Sequence, residues 1–334
     1  MQNYLKRNKK THILFLVMFF GLFFVASQAH ALSISPVRME ISGDPGETLQ
    51  KNMILINESN VAETFYSSYA NFEAQGETGN PAFVEPKNDL GTWISTASSI
   101  TLKPGESKTV PFNINILKNA EPGGHFATIF WGTGSNKPGE VSIGAKTGLL
   151  ILLSVNGNVK ESAGFLNFNT LNNKFWYSTL PVSFEYRFKN DGGDRIKPQG
   201  QITIRDTVFL PAEHLDANPS KGNILPASTR KFQVDWINYM HPKDYVAPTS
   251  FFKKFVDDTY YQWKNFAVGL YSANLDVIYG TGGEHAKKMI FFFVFPWQLV
   301  LVMAIVILVV YFGGKKLLKR YNKFIVEKAR QSRT

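Results

Sequence analysis

The chain has 334 residues, no cysteine and a formal net charge of +10. The absence of cysteine excludes disulfide-stabilised folds, thiol catalysis and thiolate metal sites. The positive excess lies at the two ends: residues 6–10 contain four Lys or Arg, and residues 314–334 contain eight against one Glu, which leaves −1 for residues 32–288. A central portion this close to neutrality gives no reason to expect nucleic-acid binding.

Residues 1–31 have the layout of a secretory signal peptide. A basic stretch precedes the apolar segment Ile13–Val25, and Ala29 and Ala31 form a small-x-small cleavage site. We therefore predict export and a mature chain that begins at Leu32. An exported chain without cysteine is more typical of a bacterial surface than of an animal ectodomain, which would usually carry disulfides.

The part between residues 32 and 288 shows the two-residue period of β-strands. Apolar and polar side chains alternate at 110–116, 182–188 and 271–277, and clusters of Gly, Pro, Asn and Asp separate such stretches. The continuous apolar run Gly148–Val155 is either a central strand covered on both faces or a contact with another body.

This pattern predicts a mainly β protein with two tandem immunoglobulin-like β-sandwich domains plus one C-terminal transmembrane helix. We place the first domain at 32–165 and the second at 166–288. The segment 238–265 interrupts the alternation with aromatic residues and lysines, and we interpret it as an inserted hairpin or short helix. It would either cover a sheet edge or contact a membrane surface or a partner.

The apolar segment near the C-terminus is long enough to cross a bilayer. Ile290–Phe312 has 23 residues without a charge, and a helix of that length is about 34 Å long against a hydrocarbon core of about 30 Å. We predict a transmembrane helix at 289–313 and a basic cytoplasmic tail at 314–334, because positive flanks stay on the cytoplasmic side. The protein would be a single-pass membrane protein with its ectodomain outside the cell.

Motifs that could carry catalysis are present only as near-matches. Gly139–Thr147 approaches a P-loop, but Ala145 breaks the required Gly-Lys adjacency. Lys146-Thr147-Gly148 and Ser228-Thr229-Arg230-Lys231 resemble penicillin-binding motifs in the reverse order of that family. No histidine lies at a recognisable metal-ligand spacing. We predict that the protein is not an enzyme and has no cofactor or metal.

Four aromatic residues are candidates for ligand contact: Tyr69, Phe130, Trp131 and Trp263. Phe130 and Trp131 are adjacent in a predicted strand, so they point to opposite faces, and one of them could be exposed for stacking on a sugar or a peptide. The alternative is that one is buried in the core and the other is covered by a loop.

Short turn motifs carry a resemblance to a known family. Asp44-Pro45-Gly46-Glu47-Thr48 and Lys103-Pro104-Gly105-Glu106-Ser107 both suit a type II turn that leads into a strand. Together with Leu32-Ser-Ile-Ser-Pro-Val-Arg-Met-Glu-Ile, Ile54-Leu-Ile-Asn-Glu-Ser and Pro122-Gly-Gly, they resemble the WxL-interacting-protein family of bacterial surface proteins. The resemblance implies peptidoglycan binding by the first domain and binding of host or partner proteins by the second.

The resemblance covers about Leu32–Val155 and is looser from Leu166 onward, so no ligand residue is transferred. Our leading hypothesis is a non-enzymatic, membrane-anchored bacterial cell-surface binding or scaffold protein. Its sandwiches would be presented to cell-wall polymer (peptidoglycan) or to another surface protein. One alternative is an assembly chaperone for secreted or pilus-like subunits that acts by strand donation. A further alternative is a wall-modifying enzyme.

Overall fold

The computed structural model describes residues 32–134, 145–208 and 210–331, so the predicted signal peptide, with Ala29 and Ala31, lies outside the described residues. The described residues divide into two compact units, one formed by those in 32–73 and 82–158, the other by those in 74–81 and 159–331. The division therefore falls at 158/159 and not at the predicted 165/166. The reason is that the strand beginning at Ala163 pairs within the second unit.

The first unit is a sandwich of two sheets. One sheet has the strand order β1-β3-β8-β6, and the other has the order β2-β10-β9-β4-β5 with β7 beside β4. The elements are β1 (Leu32–Ser35), β2 (Arg38–Gly43), β3 (Thr48–Asn57), β4 (Glu63–Gln75), β5 (Asn80–Val84), α1 (Leu90–Trp93), β6 (Ile94–Thr96), β7 (Ser99–Leu102), β8 (Ser107–Asn115), β9 (Gly123–Gly132) and β10 (Lys146–Val155).

The core of this unit lies between the two sheets. In β8 the buried Val110, Phe112 and Ile114 alternate with more exposed residues, as the period-two pattern predicts. These side chains meet Trp131 and Ile151 from the opposite sheet in one apolar cluster. Of the two alternatives for the run Gly148–Val155, the structure shows a strand that pairs with β9 and, from Leu150 onward, also with β2.

The two Pro-Gly-Glu turns have the same hydrogen bonds. Glu47 N donates to Asp44 O, and Glu106 N donates to Lys103 O, each at 3.0 Å. Gly46 and Gly105 have φ of 85° and 67°, the left-handed region that favours glycine at this turn position. In each turn the Glu carboxylate also accepts a bond from the backbone N–H three residues earlier.

The second unit is also a sandwich, with strand orders β11-β13-β16 and β12-β18-β17-β14-β15. Aromatic side chains fill its interior: Phe184 and Tyr186 of one sheet share a cluster with Tyr271 and Phe292 of the other. Its elements are β11 (Ala163–Thr170), β12 (Trp176–Tyr177), β13 (Val182–Asn190), β14 (Gln199–Arg205), β15 (Pro211–Asp216), β16 (Ser228–Trp236), α2 (Phe251–Lys264), β17 (Gly269–Tyr279), β18 (Glu284–Val294) and α3 (Trp297–Gln331). The predicted fold class, mainly β with two sandwiches and a C-terminal apolar helix, is confirmed.

The C-terminal helix begins later than the sequence predicted. The predicted transmembrane helix at 289–313 is divided, because β18 pairs with β17 as far as Val294 and only Phe295 and Pro296 separate it from α3. Phe292 and Val294 are buried in the core of the second unit, so these apolar side chains pack within the sandwich and are not part of the membrane span. The segment Trp297–Ile325 of α3 is long and apolar enough to cross a membrane.

The interrupting segment 238–265 contains the helix α2. Buried Asn265 closes this segment: its side chain accepts bonds from the backbone N–H groups of Asn238 and Tyr239 and donates to Tyr239 O. The prediction allowed a hairpin or a short helix here, and the structure contains the helix.

Candidate functional site

One side of the strand β10 in the first unit is only partly paired. β10 pairs with β9 over its whole length, from Lys146 opposite Gly132 to Val155 opposite Gly123. On its other side β2 covers only Leu150–Val155. Among the described strands none pairs with this side of Lys146–Leu149, which we call the open β10 edge.

The chain path of the N-terminal segment produces this opening. β1 lies in one sheet and β2 in the other, and Pro36 and Val37 carry the chain across between them. Leu150 N donates to Val37 O at 3.0 Å, so β2 coverage begins there. Val37 is 68% exposed beside the opening. Proline lacks an N–H, which suits a residue at the point where a strand leaves one sheet.

The hydrogen-bonding groups at the open β10 edge can be assigned from the register. Since Leu150 N points toward β2, the N–H and C=O groups of every second residue point the same way. Gly148 and Lys146 therefore direct their backbone groups to the open side, while Thr147 and Leu149 bond to β9. An extended peptide could complete the ladder there, as in strand addition.

Aromatic side chains lie on the outer face beside this edge. Phe130 of β9 packs edge-on against the half-exposed Phe83 at 4.9 Å between ring centroids. Gly148 makes room for it, because a Cβ there would lie 2.9 Å from Phe130 Cδ1 and 2.7 Å from Thr128 Cγ2. The open edge is thus flanked by apolar surface on one face and by the exposed Lys146.

The four aromatic residues singled out as ligand contacts are not gathered in one place. Trp131 is fully buried in the core of the first unit, so its prediction as a contact is wrong. Tyr69 is half-buried against the same core, and its hydroxyl accepts a bond from Thr96 N at 3.1 Å. Phe130 is half-buried beside Phe83. Trp263 is 63% exposed, but it belongs to α2 of the second unit.

A histidine in the first unit is held by two acceptors. His125 Nδ1 bonds the carboxylate of Asp89, and Nε2 lies 2.8 Å from Glu121 O. Burial alone would lower the pKa of His125, but the bonds to Asp89 and Glu121 outweigh it and hold the pKa above its ordinary value. The indole of Trp93 lies tilted against the His125 ring, at 4.8 Å between centroids. We interpret this group as a connection between α1 and β9.

The geometry around β10 offers backbone pairing and apolar contact. In the described ranges no three His, Asp or Glu residues come together in a way that could hold a metal ion. The near-match to a P-loop falls mostly outside the described residues. Its Lys146 lies at the start of β10, where the side-chain Nζ is 3.5 Å from Ser68 Oγ.

Neither a family model nor a curated protein matches the sequence. Among solved structures the chain is similar to the class 5 fimbriae chaperone CfaA, with 9% identity over 78% of this chain and 99% of that chain and a TM-score of 0.38. It is similar to a chain of the CsuC–CsuE chaperone–tip adhesion subunit complex of Acinetobacter baumannii, with 11% identity, 79% and 99% coverage and a TM-score of 0.35. It is also similar to a chain of the complex of the Salmonella enterica SafA pilin with the SafB chaperone, with 8% identity over 79% of this chain and 99% of that chain and a TM-score of 0.36.

These comparisons contradict the leading prediction of a scaffold that presents its sandwiches to a cell-wall polymer. The three structures are fimbrial chaperones or complexes that contain one. At this level of identity the likeness concerns the fold. Peptidoglycan binding, which followed from the family resemblance, is not retained.

Proposed function

We propose that the chain is a membrane-anchored assembly chaperone that binds an extended segment of a secreted subunit as an added strand at the open β10 edge. The observation that carries the proposal is the register of β10, which leaves Lys146–Leu149 unpaired on the β2 side among the described strands. The partner class, a subunit of a surface fibre, is the one named for the chaperone complexes. The role needs no catalytic group and no cofactor.

The energetics require side chains as well as backbone pairing. Lys146 and Gly148 direct two N–H and two C=O groups to the open side, and four hydrogen bonds at about 0.5–1.5 kcal/mol each give about 2–6 kcal/mol. A dissociation constant of about 1 μM needs about 8 kcal/mol after the cost of association. The remainder would come from apolar side chains of the added strand against Val37 and Phe130.

The proposed topology places the two sandwiches outside the cytoplasmic membrane. The helix α3 would cross the bilayer, and Lys315, Lys316, Lys319 and Arg320 would lie on the cytoplasmic side, where positive flanks are retained. The chaperone would then receive its subunit at the membrane surface from which the subunit emerges.

The test uses a photo-crosslinking amino acid at the exposed Val37, in living cells, with two variants of Lys146. Lys146→Pro removes one N–H that points to the open side and leaves the bonds of Thr147 to β9 in place. Lys146→Ala keeps that N–H and removes the side chain, with its charge and its contact to Ser68 Oγ. We expect Lys146→Pro to lower crosslinking by about 2–12-fold, which corresponds to one hydrogen bond, and Lys146→Ala to leave most of it.

The identity of the crosslinked product decides the proposal. A crosslink to a β-strand segment of a secreted subunit that weakens in the proline variant supports it. A product formed equally in both variants, or crosslinking to glycan strands alone, would overturn it. A second photo-crosslinker at Lys108, exposed on β8 of the other sheet, shows the background at a site away from β10.

A further inference from the structure

The helix α2 is attached to the first turn of α3. The side chains of Gln262 and Gln298 are buried and hydrogen-bonded to each other. Leu299 N donates to Gln262 Oε1 at 3.0 Å, and the rings of Phe255 and Trp297 lie 6.1 Å apart. Since Trp297 is the first residue of the candidate membrane span, α2 lies at the level where that span begins.

Another side of α2, about a quarter turn around the helix from Gln262, exposes apolar side chains. Phe252, Val256 and Trp263 are 71%, 51% and 63% exposed. Their spacing of four and seven residues places them on one face of a helix. Tyr260 borders this face and is half-exposed, and Lys254 points to the other side of the helix. A surface helix with a large apolar face and flanking lysines has the composition of an interfacial membrane helix.

A second group of exposed aromatic side chains borders the start of the same span. Trp176 of β12 is 61% exposed and packs on Phe293 of β18 at 4.6 Å between centroids. Phe175 and Phe295 beside it are also exposed. Phe293 N donates to Phe175 O at 2.8 Å, so the edge strand β12 is fixed next to the end of β18. Trp and Tyr are enriched where a protein passes through the lipid headgroups, and Trp176 is the member of this group that fits that preference.

The length of the span gives a separate reason for lipid contact. Trp297–Gly314, the uncharged part of α3, has 18 residues and a length of about 27 Å, which is less than a hydrocarbon core of about 30 Å. A short span is accommodated by thinning of the bilayer or by flanking groups that sit in the interface. The exposed faces of α2 and β12 supply such flanking apolar groups at the outer end.

We propose that the exposed face of α2 is embedded in the lipid interface around the outer end of α3. The occupant of this face is the bilayer that α3 crosses, because α2 is joined to the first turn of α3 and because the uncharged part of the span, Trp297–Gly314, is shorter than the hydrocarbon core. The inference rests on the proposed membrane anchoring. The helix α2 and the aromatic group around Trp176 hold the second sandwich against the membrane surface.

The test uses single-cysteine variants of the full chain in lipid nanodiscs, since the natural chain has no cysteine to remove. Val256→Cys reports on the exposed face of α2, and Lys254→Cys, also exposed but on the opposite side, is the matched control. Leu308→Cys lies within the uncharged part of α3 and reports whether α3 crosses the bilayer. Each cysteine carries an environment-sensitive fluorophore, and lipid-attached nitroxides serve as quenchers.

We expect blue-shifted emission and strong lipid quenching at Val256→Cys and Leu308→Cys, and water-like emission at Lys254→Cys. In samples without the fluorophore, thiol alkylation by a water-soluble maleimide should be more than about tenfold slower at Val256→Cys than at Lys254→Cys, since insertion of the remaining Phe252 and Trp263 side chains favours the lipid-buried state by at least that factor. Phe252→Cys provides a second probe of the same face.

The outcomes separate the two proposals. Lipid quenching at Leu308→Cys with a water-like signal at both Val256→Cys and Phe252→Cys overturns the placement of α2 and leaves the anchoring in place. A water-like signal at Leu308→Cys overturns the anchoring and the placement of α2 with it. Quenching at Lys254→Cys equal to that at Val256→Cys also contradicts the inference, because only one face of α2 is expected to meet lipid.

Discussion

The replacement of Asn57 by alanine should lower the stability of the first unit far more than the loss of one small side chain suggests. Asn57 is fully buried at the end of β3. Its side-chain N–H groups donate to Val61 O at 2.8 Å and Leu102 O at 3.1 Å, and its Oδ1 accepts a bond from Ser59 N at 3.0 Å. Asn57 thereby connects β3 to the end of β7 and to the loop that follows β3.

The magnitude follows from the groups that the substitution leaves without partners. Alanine removes the partners of a buried carbonyl and of a buried N–H, and each such group costs about 1–3 kcal/mol. We expect a loss of about 3 kcal/mol in the free energy of opening of the first unit. At about 1.4 kcal/mol per factor of ten, this loss corresponds to amide exchange about 100-fold faster in β3 and β8.

The assay is hydrogen-exchange mass spectrometry of the full chain in nanodiscs. The control is Asn52→Ala, since Asn52 is exposed on the same strand. This substitution should change the free energy of opening of the first unit by no more than about 0.5 kcal/mol. Asn190→Ala is the counterpart in the second unit, where its side chain donates to Asp194 O and Ile224 O. It should accelerate exchange in β13 and leave β3 unchanged. Equal exchange in Asn57→Ala and Asn52→Ala would refute the reasoning.

Three further predictions concern single residues in the two units. Gly200→Ala should prevent correct pairing of β14 with β17, because Gly200 has φ of 154° and an added Cβ would collide with a backbone carbonyl of β17. The control is Gly164→Ala, where an added Cβ meets open space. The difference between the two variants is measured by thermal unfolding of the second unit. The raised pKa of His125 stabilises the first unit below pH about 6.5, and this stabilisation should be lost as the pH rises through the pKa of His125 in the folded state. The midpoint of denaturant unfolding should therefore fall with rising pH, and Asp89→Asn should remove this pH dependence. Trp131→Ala should lower the unfolding free energy of the first unit by about 3–5 kcal/mol, since the indole is a core group; an unchanged denaturant midpoint would contradict its placement.

Much of the strand content could be predicted from the sequence because one face of most strands is covered by the partner sheet. The alternations at 110–116, 182–188 and 271–277 correspond to β8, β13 and β17. The Pro-Gly-Glu turns were also predictable, since Gly46 and Gly105 adopt the positive φ that the turn requires. These signals are local, and the structure confirms them.

The start of α3 could not be predicted in the same way. An apolar run has no period that separates a strand from a helix, and Ile290–Phe312 contains the end of one and the beginning of the other. The pairing of β18 with β17 is a contact between segments of the chain that meet only in the folded unit. It extends the strand to Val294 and shortens the helix.

The candidate site was also beyond local patterns. The open β10 edge depends on where β2 stops, and β2 is more than 100 residues earlier in the chain. Likewise, the alternation placed Phe130 and Trp131 on opposite faces but could not tell which face was the core. The structure assigns the core to Trp131, because Ile129 and Ile151 pack on its side of the sheet.

The short connection between β18 and α3 has a mechanical consequence. Two residues, Phe295 and Pro296, can span at most about 7 Å, and the bonds of Gln262 to Gln298 and Leu299 hold the first turn of α3 to α2. The connection between β18 and α3 is therefore short and fixed by hydrogen bonds, and it acts as a rigid link and not as a hinge. Any tilt or rotation of α3 is transmitted to the sheet that contains β18, and a pull on that sheet is transmitted back to the helix.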